Sequence, residues 1–387
     1  MSNPTTPPSP VPARWLYLDH LRAALVILVV VLHAAVTYSG LGGWYYKEPA
    51  ELLFPEFLGF AWLESHLQAF FMGLLFLIAG FFAPEAFDRK GASRFLRDRW
   101  FRLGWPSLFY VFVIHPLVTF LLQPIYRGDG QRPSFGEHYG HFLDQWRFLS
   151  CSGPLWFAIA LFLFSAAYAG IRVTRGQRSL PSNKAPLPGH GIVVLYILVL
   201  GLITALVRVV QPVGTDILNM QLCFFSQYIA LFWVGIQARR KDWIARLSTR
   251  FGLQWLGVGF VAGTPLWLAV LFGSKDNLDL LKGGWTWLSF GFALWDVLFG
   301  TAACLGLLVL FRDRLHRRYA WSDFLIRNAF SVYVFHTPVL IGITLALRSF
   351  HALPSVKFVV ASTLAVIATY GLSEWAFRRI PGLRTIL

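Results

Sequence analysis

The chain has 387 residues, of which 56% are hydrophobic and only 14% charged. A soluble globular chain is about a quarter charged, so this composition excludes a set of water-soluble domains. The 36 Phe and 16 Trp against 3 Cys also exclude a disordered chain and a disulfide-stapled secreted one. In so apolar a chain the net charge of +15 reads first as loop topology, and no nucleic-acid partner is expected. About ten spanning helices of roughly 21 residues would use the apolar residues available. The expected fold class is therefore all-α, a polytopic membrane helical bundle in a lipid bilayer.

Residues 1–13 are rich in Pro, Ser and Thr and read as a disordered cytoplasmic tail, with a single membrane domain over 14–387. Apolar stretches predict helices near Leu16–Tyr38, Leu67–Pro84, Leu103–Gln123, Leu155–Arg172 and Ile192–Gln211. Five more follow near Leu222–Gln237, Leu253–Phe272, Phe290–Phe311, Ala329–Leu347 and Val356–Phe377. Cations gather before the first helix and in every second connection after it. Arg14 and Arg22 open the series, and Arg89, Lys90, Arg94, Arg97, Arg99 and Arg102 form its densest member. Later groups begin at Arg172, Arg239, Arg312 and Arg378 and include Arg178, Lys184 and Arg384. This alternation predicts both termini on the cytoplasmic side of a bacterial-type inner membrane.

Arg14, Arg22 and the apolar run Ala23–Leu32 also have the look of a cleaved signal peptide. Against that, the apolar character continues past Ala35, Asp19 is out of place, and cleavage would spoil the charge alternation. Cys151, Cys223 and Cys304 lack metal-ligand spacing. Neither a metal site nor a structural disulfide is expected.

The first span is the most informative, because it holds Asp19, His20, Arg22 and His33. A charge at the centre of a spanning helix costs about 2.5–3.5 kcal/mol on the insertion scale. Arg22 and His33 are eleven residues apart, which at about 100° per residue puts them on one stripe, roughly 16 Å apart along the axis. Asp19, three residues before Arg22, is placed to pair with it. Interfacial charges reaching the head groups, and a histidine bonded to a neighbouring helix, are the plainer readings.

Arg22, ten intervening residues and His33, within Leu18-Asp19-His20-Leu21-Arg22-Ala23, resemble the signature of the acyltransferase-3 family of integral membrane acyltransferases. Five further islands agree in order. Met72-Gly73-Leu74-Leu75-Phe76-Leu77-Ile78-Ala79-Gly80-Phe81-Phe82 is similar to the family's second-helix pattern, with Gly73 where Pro is usual and Leu75 where Phe is usual. Phe95 through Pro106 resembles its basic run, and Pro154-Leu155-Trp156-Phe157 its "LWF" helix start. Tyr333-Val334-Phe335-His336-Thr337-Pro338 resembles its late histidine segment, and Arg378 through Arg384 its closing run. The last is nearest to the branch that includes periplasmic-glucan succinyltransferases.

The resemblance implies transfer of an acyl group, acetyl or succinyl in type, from cytoplasmic acyl-CoA to a hydroxyl of a carbohydrate or lipid-linked acceptor, with no bound cofactor. On that reading His33 is the general base, Arg22 binds donor phosphate or carboxylate or stabilises the oxyanion, and Asp19 orients Arg22. Arg99 and Arg102 would hold the CoA phosphates, against a plain topological role. His336, His66, Glu64 and Trp156 are candidates for substrate binding. A core histidine, an interfacial polar cap that includes Gln68, and a packing aromatic are their respective alternatives. His138 and His141 read as solvated loop histidines, and Arg208, near a helix end, as a snorkelling cation. No fused C-terminal hydrolase-like module is expected. The rivals are a secondary transporter or exporter, which would show solute flux without His33-dependent CoA release, and a non-catalytic envelope scaffold, for which Arg22→Ala and His33→Ala would both be silent.

Overall fold

A bilayer-crossing helix needs a run of about 20 predominantly apolar residues, and such runs dominate this chain. The computed structural model describes residues 15–48, 51–127, 134–176, 185–275 and 277–380. The expected tail 1–13 and Arg14, Arg178, Lys184 and Arg384 lie outside the described residues. The helices, in order, are α1 (Leu16–Ser39), α2 (Phe54–Arg99), α3 (Trp105–Phe109), α4 (His115–Arg127), α5 (Phe135–Asp144), α6 (Trp156–Thr174), α7 (His190–Val210) and α8 (Phe225–Arg240). They continue with α9 (Trp243–Arg246), α10 (Thr249–Val258), α11 (Thr264–Gly273), α12 (Asp279–Lys282), α13 (Trp287–Arg314), α14 (Ala320–Ala346) and α15 (Pro354–Trp375). Among the described residues there is no strand, only one isolated bridge between Ile217 and Met220.

Eight helical stretches among the described residues are long and apolar enough to cross a membrane, against the ten separate helices expected. Two local features account for the difference. The run 54–125 is helical almost throughout, so the basic stretch 89–102 is not the loop expected. At about 1.5 Å per residue it would extend about 108 Å if straight, several bilayer thicknesses. It is broken at Gly91, whose φ of 71° only glycine adopts readily. α8, with 16 residues, is shorter than a usual crossing.

α1 begins without a side-chain cap and ends where Gly40, at φ 71°, turns its N–H back to the Val36 carbonyl. It packs against α2, α14 and α15, while α2 packs against α8, α6 and α13. The α2–α8 crossing is close because it is glycine on both sides. A Cβ on Gly80 would lie 2.1 Å from the Phe232 carbonyl oxygen, and one on Gly235 would lie 2.0 Å from that of Leu77. α13 joins this group to α7 and α10. The start of α1 meets the ends of α8 and α13, with Arg239 over the Trp15 ring and His20 Nδ1 bonded to the Leu315 carbonyl at 2.7 Å. One end of the bundle therefore carries the cations of α1, α8 and α13 together.

Candidate active site

α1 and α14 bring together two imidazoles that are 303 residues apart. His33 Nδ1 lies 3.1 Å from His336 Nε2, and the two rings are within 15° of parallel. His336 is fully buried, and His33 is half-buried. The proton positions follow from the partners. His336 Nδ1 is 2.8 Å from the Tyr333 carbonyl oxygen, which can only accept, so Nδ1 carries the proton and Nε2 has a lone pair. His33 Nδ1 must then donate to it, which leaves His33 Nε2 as the unprotonated, basic nitrogen. Two residues on from His336, Pro338 within α14 lacks the N–H that the Val334 carbonyl would otherwise receive.

The connection between α1 and α2 covers this pair. Trp44 stacks on His33 with centroids 4.0 Å apart and 16° between planes, and its ring is 6.2 Å from that of His336. Tyr110 donates to the Tyr45 hydroxyl at 3.1 Å, and Tyr45 reaches His115 Nδ1 at 2.7 Å. Burial, with Tyr110 beside it, holds the Tyr45 phenol well above its ordinary pKa, so it remains a neutral donor. Gly153, at φ 48°, leaves room for both phenols, since a Cβ there would lie 2.6 Å from each hydroxyl oxygen. The neighbouring Pro154 carbonyl accepts from the Tyr333 hydroxyl. None of Trp44, Tyr45 and His115 stood out in the sequence: Trp44 is one of 16 tryptophans and lies in a connection.

Arg22, Asp19, Arg99 and Arg102 also come together, at the basic end. Arg22 pairs with Asp19 at 3.7 Å and keeps 53% of its side chain exposed. Arg22 and Arg102 lie within electrostatic range of one another, and Arg99 of both. Arg102 belongs to a wide helical turn, Trp100–Gly104, of the kind that often marks functional sites. Several other cations at this end have close carboxylates: Arg172 with Asp88 at 2.8 Å, Arg239 with Glu85 at 2.6 Å, and Lys90 with Asp98 at 2.5 Å. Among the described residues, no carboxylate lies at ion-pair distance from Arg99 or Arg102.

The remaining candidates sit elsewhere. Glu64 accepts from Ser39 Oγ at 2.6 Å, at the far end of α1 from Arg22. His66 is 3% exposed, bonded at 2.8 Å to the Trp62 carbonyl of its own helix and ringed by Trp62, Trp267, Trp295 and Phe299. Trp156 stacks on Tyr228 at 5.8 Å, towards α8 rather than over the imidazole pair. Gln68 also bonds to Tyr228, at 3.2 Å. His138 is not simply solvated, since Thr119 Oγ1 and Gln123 Nε2 approach its ring nitrogens at 3.0 and 2.5 Å.

Arg208 is a correction. It does not snorkel: it is fully buried and paired with Asp296 of α13 at 2.5 Å, with its guanidinium over the Phe224 and Phe292 rings. Its face of α7 packs on α13 rather than on lipid, so the charge is met by a carboxylate 88 residues away. Among the described residues no group of three or more His, Cys, Asp or Glu side chains is arranged to hold a metal ion.

The chain is thus a multi-pass helical membrane protein with two imidazoles joined in one seam and, among the described residues, the Arg99 and Arg102 guanidinium groups without a carboxylate at one end. Residues 15–374 match the acyltransferase-3 family, described as an acyltransferase domain, and the chain belongs to that family of membrane acyltransferases. It is similar to Glucans biosynthesis protein C of Salmonella schwarzengrund (strain CVM19633), 28% identical over 186 residues, which are 46% of this chain and 44% of that protein. Proteins of the same name from Salmonella paratyphi B (strain ATCC BAA-1250 / SPB7) and Salmonella heidelberg (strain SL476) are 27% identical over the same shares. The match thus spans less than half the length of these curated relatives. No solved structure matches.

Proposed function

We propose that this protein transfers an acyl group from cytoplasmic acyl-CoA to a hydroxyl of a carbohydrate or lipid-linked envelope acceptor, without a bound cofactor. The observation that carries the reading is the tautomer chain Tyr333 carbonyl, His336, His33, which leaves His33 Nε2 as a base. In the transfer, the acceptor O–H gives its proton to His33 Nε2 as its oxygen bonds to the acyl carbon. The C–S bond breaks, and the leaving thiolate takes the proton from the imidazolium to give free CoA. His336 holds the ring of His33 in the productive orientation throughout.

Arg22, Arg99 and Arg102 bind the donor's phosphates, and Asp19 orients Arg22. Guanidinium groups without protein carboxylates are suited to such a ligand, since bidentate phosphate contacts supply the missing counter-charge. The basic end faces the cytoplasm of an inner membrane in this reading, with both termini inside and residues 14–387 acting as one unit. The name of the relatives favours a glucan-type acceptor, and the closing Arg378–Arg384 resemblance favours a succinyl donor. His66, Glu64 and Trp156 have structural roles in this scheme.

The test is CoA release from acetyl-CoA and succinyl-CoA by protein reconstituted in proteoliposomes, with and without oligosaccharide acceptors. Wild type is expected to release CoA from one donor in an acceptor-dependent way, and His33→Ala is expected to lose that release. Solute flux with no CoA release would instead establish the transporter reading.

A further inference from the structure

A histidine that accepts a proton in a membrane interior becomes a cation, and an interior cation needs a counterpart. Acid–base histidines commonly have a carboxylate for this purpose. His33 has none: among the described residues its ring meets His336, Trp44 and the backbone of Val29, one turn back on its own helix. The charged groups on the surrounding elements are otherwise engaged. Glu64 of α2 accepts from Ser39, and Glu48 of the connection is paired with Lys357 of α15. Lys47 donates to the Gly40 carbonyl at 3.1 Å, and the neutral Tyr45 bonds to His115. What does face the imidazole is the π-surface of an indole, nearly parallel and 4.0 Å away.

We propose, building on the assignment of His33 as the base, that Trp44 is a catalytic residue whose π-face stabilises the imidazolium formed when His33 takes the acceptor's proton. Indole is the best aromatic partner for a cation within about 6 Å, and the attraction grows when the contact is shielded from water. Against neutral imidazole the stack supplies little more than dispersion. The interaction is therefore stronger in the transition state than in the ground state, which is the condition for accelerating the step. No atom of Trp44 is transformed, and the proton passes from acceptor oxygen to His33 Nε2 to thiolate as above.

The connection is built to hold the indole in place. Gly40 and Gly42 turn the chain at φ 71° and 85°, a conformation that other residues rarely adopt. The Glu48 N–H donates to the Thr37 carbonyl at 2.9 Å, and the Glu48 carboxylate is clamped by Lys357, which is only 4% exposed. Thr37 in turn donates to the His33 carbonyl at 2.9 Å. Trp44 is thus preorganised over a ring that belongs to another element, at no ordering cost when charge develops.

The experiment keeps the shape of residue 44 and varies its π-density. Tryptophan with one, two and three ring fluorines is placed at position 44 alone, by nonsense suppression, and CoA release from acetyl-CoA and succinyl-CoA is followed in proteoliposomes. The logarithm of kcat is expected to fall in step with each fluorine, kcat itself dropping about tenfold across the series, while the donor KM stays constant. Trp44→Phe should fall between wild type and Trp44→Leu, with Trp44→Leu slowed at least tenfold. A flat fluorine series alongside a dead His33→Ala overturns the role of Trp44 and leaves the base assignment standing. Undiminished release by His33→Ala, or no release from either donor by wild type, overturns the base reading and this inference together.

Discussion

Two seams of the bundle each bury a histidine among aromatic rings, and they differ in what the histidine is bonded to. Between α2, α11 and α13, His66 bonds within its own helix, to a carbonyl four residues back, and indole and phenyl edges surround it. Between α1 and α14, His33 bonds to a second imidazole on another helix and lies face to face with an indole from a third element. The first arrangement satisfies one nitrogen and encloses the ring. The second fixes a tautomer and leaves a basic nitrogen with a cation-stabilising surface beside it. Burial among aromatics is common to both, so burial alone does not mark a reactive histidine. Coupling across elements is what separates the two.

The arginines divide in the same way. Arg208 and Asp296 neutralise one another in a dry site, which serves packing of α7 on α13. Arg22 reaches its carboxylate only at 3.7 Å, and Arg99 and Arg102 have none among the described residues, which leaves positive charge for a ligand.

The sharpest way to break this comparison is to exchange the histidines' consequences. His33→Ala should lower the rate of CoA release by about 10²–10⁴-fold, the usual contribution of a general base, while remaining folded in detergent; unchanged release would erase the distinction between the seams. Next in size, Arg208→Ala should destabilise the protein by about 3–5 kcal/mol, because it strands Asp296 as a buried charge. The double change Arg208→Met with Asp296→Leu should recover most of that loss in a thermal unfolding midpoint measured in detergent. Equal destabilisation by the single and the double changes would show that the pair matters for something besides its own neutralisation.

Arg99→Ala should act oppositely to Arg208→Ala. Its unfolding midpoint should hold, while the KM for acyl-CoA rises about 10–100-fold, the worth of one charge-assisted hydrogen bond. A fall in stability with constant KM would place Arg99 with the structural cations. The smallest effect belongs to His66→Phe, which preserves ring volume and should change stability by less than about 1.5 kcal/mol and the rate by under threefold. A large rate loss there would move the reactive centre into the wrong seam.

Some of this was legible before any coordinates. An ionisable residue inside an apolar run is costly wherever the run packs, so Arg22 and His33 announced themselves by composition alone. His336 was legible through the Tyr333–Pro338 segment. Asp296 was not, because nothing along α13 indicates that its partner is Arg208, 88 residues earlier. The expected loop at 89–102 became helix because its cations alternate with Phe95, Leu96, Trp100 and Phe101 and meet helix propensity everywhere except Gly91.

The amino-acid sequence by itself determined that this chain is a multi-pass helical membrane protein and that Arg22 and His33 share one stripe of α1, because hydrophobic transfer and helical periodicity are local properties. Tertiary structure decided which groups come together with them. His336 stands 303 residues from His33, and Trp44 is brought over it by a turn that folds the chain back on itself. A proton's position, a counter-charge and a stacked ring depend on contacts through space, and spacing along one helix does not encode them.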